Sequence, residues 1–84
     1  MTKVQIGNYL IIDPAICHGQ LTFKETRVPV GTVLTFLAKG YTVDQLLLSW
    51  PELQRAGIEE AIYLASHSLQ ERYAQPPVAI VEPA

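Results

Sequence analysis

The sequence predicts a mainly α fold: a small helix-turn-helix three-helix domain with a short N-terminal β-hairpin or strand and an extended C-terminal tail. Three observations carry that expectation. From Val30 to Tyr73 apolar residues recur every three to four positions, the period of a helix face. Gly40, Pro51 and the Pro76-Pro77 pair divide this stretch into three helices, because glycine caps helix C-termini and proline cannot continue a helix. β-Branched residues are concentrated instead at the start, between Val4 and Ile12.

Val4 to Ile12 contains Gly7-Asn8, a pair suited to a two-residue hairpin turn, and Asp13-Pro14 ends the extended segment. Ala15 to Pro29 reads as a structured loop with two short extended pieces, Leu21-Thr22-Phe23 and Thr26-Arg27-Val28. The first helix follows Pro29, with Val30, Val33, Leu34, Leu37 and Ala38 on one face and Gly40 at its end. Thr42 and Gln45 have capping-box spacing, with Tyr41 and Leu46 placed as a hydrophobic staple. The second helix therefore turns Val43, Leu46, Leu47 and Trp50 inward and stops at Pro51. A third begins near Gln54 or Arg55, with Leu53 stapled to Ile58 and an apolar row of Ile58, Ile62, Ala65, Leu69 and Tyr73. Residues 1–75 form one domain in this reading, and 76–84 a proline-flanked apolar tail.

With 84 residues, 49% of them apolar and 17% charged, the chain has material for one packed core. So small a core commonly needs reinforcement, and the single Cys17 excludes an internal disulfide. A homodimer is expected, through Tyr9 to Ile12, Val28 or the tail. Net charge of −2 argues against a broadly basic nucleic-acid coat, so any DNA contact must be a local patch. No stretch approaches the ~20 apolar residues of a membrane span, and the expected location is the cytoplasm.

Catalytic signals are weak. Cys17 and His18 are sequence neighbours, and on an extended chain they point to opposite sides. Glu59 and Glu60 diverge by about 100° on a helix, a poor geometry for shared acid–base work. No enzyme, metal or cofactor is expected.

A short capped helix, a turn through Trp50-Pro51-Glu52-Leu53 and a helix opening at Gln54-Arg55 have the outline of a helix-turn-helix, whose second helix offers its N-terminus to the major groove. On that outline Gln54 and Arg55 face base edges, while Lys24, Arg27 and Lys39 meet phosphates. Glu59 and Glu60 on the same helix oppose DNA. In the tail, Val78, Ile80 and Val81 either pack on this protein's own core or dimer partner, or dock on another protein together with Leu69 and Tyr73.

The segments Ile12-Asp13-Pro14-Ala15-Ile16-Cys17-His18-Gly19-Gln20, Thr22-Phe23-Lys24, Thr26-Arg27-Val28-Pro29-Val30 and the Trp50-Pro51-Glu52-Leu53 turn resemble the domain of unknown function 433 family over about Tyr9 to Ala65. The resemblance implies a helix-turn-helix antitoxin of the VapB type whose partner is a PIN-like ribonuclease toxin encoded nearby. An alternative is an interaction adaptor that kept the helix-turn-helix and lost operator binding. Four positions are departures: Leu21 stands where proline is usual in the family, Glu25 where glycine is usual, Gln54 is a weak cap for the third helix in place of Ser or Thr, and Gly57 replaces the acidic residue expected in its first turn, changes that weigh against DNA binding. A glycine at the position of Glu25 suggests a left-handed turn residue, so Glu25 either accepts strain or changes the turn.

Overall fold

The computed structural model describes residues 2–73; the tail residues Val78, Ile80 and Val81 lie outside them. The mainly α expectation is corrected. Strands β1 (Val4–Ile6), β2 (Leu10–Ile12) and β3 (Leu21–Phe23) form an antiparallel sheet in the order β1-β2-β3, and helices α1 (Val30–Ala38), α2 (Val43–Ser49) and α3 (Arg55–Arg72) complete a small α+β domain. The sheet was underestimated because its strands are three residues long, too short to display a period of two. Their pairing is decided by contacts between distant residues: Leu10 lies opposite Phe23, and both are buried.

The core sits between this sheet and the helices. Leu10 and Phe23 from the strands meet Val28, Val30 and Val33 around the start of α1, Leu46 from α2, and Leu53, Ile58 and Ala61 around α3. Within β3, Thr22 is also fully buried, and its hydroxyl has no hydrogen-bond partner among the described residues.

The helix boundaries follow local chemistry. At the end of α1, Gly40 N–H bonds Leu37 C=O, Tyr41 N–H bonds Phe36 C=O, and Gly40 takes φ +101°, a Schellman closure. Tyr41 then packs edge-on against Phe36, with ring centroids 5.3 Å apart. The α2 capping box forms as expected: Thr42 Oγ1 accepts from Gln45 N–H at 3.1 Å, and Gln45 Oε1 accepts from Thr42 N–H at 2.8 Å. Gln54, by contrast, makes no side-chain cap for α3.

The apolar row proposed for α3 splits in two. Ile58 enters the core with Gly57, Ala61 and the partly buried Leu64, whereas Ile62, Leu69 and Tyr73 are exposed. Every residue from Ser66 to Tyr73 is exposed, so the C-terminal half of α3 projects beyond the body of the domain. Leu10 and Val28, expected at a dimer interface, are consumed by the chain's own core.

Candidate nucleic-acid interface

Three turns converge at the N-terminus of α3. The β1–β2 connection contains three residues, Gly7 to Tyr9, rather than the expected two, since Ile6 pairs with Leu10. Its geometry is set from across the domain by Glu60 of α3. The Glu60 carboxylate accepts from Asn8 N–H with both oxygens at 2.9 Å and from Tyr9 N–H at 2.8 Å. Gly7 adopts φ +64°, and a Cβ there would fall 2.6 Å from that carboxylate. Glu60, read from sequence as an acidic obstacle on a reading face, is thus committed to holding the hairpin turn. Gly57 allows the approach: a Cβ at this position would stand 3.3 Å from Tyr9 Cβ.

The second turn runs from Phe23 to Thr26. Thr26 N–H donates to Phe23 C=O at 3.1 Å, and the Thr26 hydroxyl both donates to Phe23 C=O at 2.8 Å and accepts from Val28 N–H at 3.1 Å. Glu25 holds φ +63°. The turn is therefore retained, with a left-handed residue in its third position as in a type II turn, and Glu25 carries the strain. The third turn, Trp50 to Gln54, joins α2 to α3 and is closed by a 3.0 Å bond from Leu53 N–H to Trp50 C=O.

Between these turns lies a groove of roughly 200 Å³ whose lining includes Tyr9, Lys24, Glu25, Glu52, Gln54 and Gly57. It brings together two of the five residues expected to meet DNA, Lys24 and Gln54. Lys24 Nζ also donates to Gln5 Oε1 at 3.2 Å. Arg55 is adjacent in sequence, but its guanidinium pairs with Asp44 of α2 in an exposed ion pair. Arg27 is exposed, and its carbonyl accepts the Cys17 thiol at 3.3 Å. Lys39 lies away from the groove, in a shallower depression formed by α1 with Gln20, Leu21 and Pro29, and its ammonium stands 5.7 Å from the Phe36 ring centroid. Sequence reading missed the parts played by Glu60, Tyr9 and Gly57. The available signal was the pair of glycines, Gly7 and Gly57, at positions where side chains approach closely.

The extended geometry assumed for Cys17-His18 is also corrected. Cys17, His18 and Gly19 have φ of 49°, 57° and 81°, a tight left-handed turn closed by Gly19 N–H to Ile16 C=O and Gln20 N–H to Cys17 C=O. Just before it, the buried Asp13 accepts from Ala15 N–H at 2.9 Å and lies 3.8 Å from Lys3 Nζ. Among the described residues, no group of three or more His, Cys, Asp or Glu side chains is placed to hold a metal ion, and no helix is long and apolar enough to cross a membrane.

The fold and groove define a small α+β domain that carries a capped helix, a tight turn and a longer helix beside a three-stranded sheet. The family model described as "Protein of unknown function (DUF433)" matches residues 11–65, and the chain belongs to that family. No curated protein and no solved structure matches it.

Proposed function

We propose that this chain is the antitoxin member of a type II toxin–antitoxin module, binding operator DNA through α2, the Trp50–Gln54 turn and α3, and binding a PIN-like ribonuclease toxin through the far end of the molecule. The observation that carries the DNA component is the groove at the N-terminus of α3, where Gln54 and Lys24 stand together behind a fully capped α2. Uncapped amides and a lysine suit phosphate contact, and Gln54 suits a base edge. Arg27, exposed in the segment after β3, adds a second phosphate contact. The toxin component rests on family resemblance and on the exposed apolar end of α3, including Leu69 and Tyr73; Val78, Ile80 and Val81 extend that surface in sequence.

A second reading, an adaptor without DNA binding, is favoured by the Arg55–Asp44 ion pair, which occupies the one arginine of the reading turn, and by the net charge of −2. A mobility shift on the DNA upstream of the chain's own gene, with co-purification of the neighbouring gene product, separates the two. The antitoxin reading expects a shift at low salt that Lys24→Ala weakens on all sequences alike, reducing the salt dependence by about one counterion. It also expects Asp44→Asn to strengthen binding by releasing Arg55. Absence of any shift at low salt, with the partner still captured, establishes the adaptor.

A further inference from the structure

The projecting half of α3 carries an apolar stripe that no element covers among the described residues. Ile62 is 41% exposed, Leu69 60% and Tyr73 60%, with the smaller Ala65 between them, at spacings of three, four and four residues that place all four on one face. A helix half lacking tertiary contact is marginal on its own, because helical stability in proteins comes mostly from packing an apolar face. We propose that this stripe is the seam of a homodimer in which two copies of α3 pack antiparallel, crossing at Ala65 and Ser66.

The pattern is self-complementary, as a two-fold interface requires. With the dyad between residues 65 and 66, Ile62 of one copy stands against Leu69 of the other, and the same contact repeats across the axis. Small residues at the crossing permit close approach of the helices. In this register Tyr73 stands level with Ile58 of the second copy, one residue from the exposed Glu59, whose carboxylate is in no ion pair among the described residues, so the tyrosine hydroxyl has an acceptor within reach. The area is adequate for a weak dimer. An aromatic side chain offers about 150 to 250 Å², so Ile62, Leu69 and Tyr73 together expose on the order of 300 to 400 Å². Interfaces are about 56 to 65% apolar, which brings the patch to roughly 500 to 650 Å² per copy. Doubled, this reaches the ~1,000 Å² that marks a specific association, at the low end of stable interfaces. Leu69 and Tyr73 are thereby assigned to the seam, leaving the residues beyond Tyr73 to another partner.

The seam also bears on DNA binding, and this part rests on the operator reading above. Arg55 lies about ten residues from the dyad, or ~16 Å at 1.5 Å per residue. The two α3 N-termini then stand ~32 Å apart along the seam, close to the ~34 Å between successive major grooves on one side of a duplex.

The test uses the isolated full-length chain. Light scattering from 5 to 200 μM should show a concentration-dependent dimer, and Leu69→Glu, at an exposed position, should weaken it at least tenfold while circular dichroism still reports a folded domain. In a Cys17→Ser background, Ser66→Cys should oxidise readily to a covalent dimer, and Ile62→Cys should cross-link to Leu69→Cys chains in preference to its own kind. A monomer at 200 μM, an undiminished Leu69→Glu dimer, or Ile62→Cys chains that prefer themselves would each overturn the antiparallel seam. Because none of these measurements includes DNA, they stand apart from the operator reading. A confirmed dimer that shifts no upstream DNA leaves the seam in place and removes only the repressor function.

Discussion

Two turns rim the same groove and impose the same backbone demand, yet the chain meets that demand in different ways. Gly7 holds φ +64° and Glu25 holds φ +63°. At the first turn the residue is a glycine, and the space a Cβ would fill is occupied by the Glu60 carboxylate, which satisfies the amides of Asn8 and Tyr9. At the second, a non-glycine residue is held left-handed by bonds made within the turn, chiefly through the Thr26 hydroxyl. One turn depends on a contact more than fifty residues away in sequence, and the other is closed chiefly by its neighbours, with a 2.8 Å bond from Lys24 N–H to Tyr9 C=O tying the two turns together. The lesson is that a left-handed residue is maintained by whatever over-determines the surrounding backbone, and that the source can be local or remote.

Substitutions can break or sharpen this contrast. The largest effect is expected from Gly7→Ala, which forces a left-handed alanine and displaces Glu60 from its amides, a loss of about 2 to 3 kcal/mol in urea unfolding. Glu60→Ala should cost somewhat less, about 1 to 2 kcal/mol, because Asn8 is exposed and water can replace part of the lost bonding. In the double variant the part of the Gly7→Ala penalty that comes from displacing Glu60 should be absent while the left-handed strain remains, leaving a coupling energy of about 1 kcal/mol in the mutant cycle. Simple additivity would show that Glu60 does not hold the turn.

Thr26→Val removes both hydroxyl bonds of the second turn at once, so a destabilisation of about 1 to 2 kcal/mol is expected. No coupling to Glu60 should accompany it if the two turns are independent. The smallest effect has the opposite sign. Glu25→Gly relieves left-handed strain of about 1 to 2 kcal/mol but adds chain entropy to the unfolded state, for a net gain of about 0.5 to 1 kcal/mol in thermal or urea unfolding. A loss of stability in that variant would mean that the Glu25 side chain makes a contribution larger than its strain.

The legible parts of this protein are those whose cause lies within a few residues. The end of α1 at Gly40, the Thr42–Gln45 box opening α2, the stop at Pro51 and the start of α3 near Arg55 could each be read from side chains that cap or break helices next to where they stand. The demand at Glu25, by contrast, was legible only through the family resemblance, whose pattern has glycine at that position. Two residues of the candidate site could be anticipated from sequence, since Gln54 precedes α3 and Lys24 occupies the turn after β3.

Sequence by itself therefore determined the three helices, the ends of α1 and α2 and the start of α3, because capping and helix-breaking residues act over one or two helical turns; the end of α3 falls at Arg72, ahead of the expected stop at Pro76-Pro77. Tertiary structure alone decided the rest. Three-residue strands carry too little pattern to announce a sheet, and their pairing depends on Leu10 meeting Phe23 across the core. Similarly, Glu59 and Glu60 are adjacent identical residues that no local rule separates: the sheet's placement against α3 binds Glu60 to a hairpin turn and leaves its neighbour exposed. Arg55 was drawn to Asp44 by the packing of α2 on α3, and the apolar row of α3 was cut at Ile62 by the limited extent of the body beneath it. Helical periodicity specifies which residues share a face, but only the positions of the other elements determine how far along the helix that face is covered.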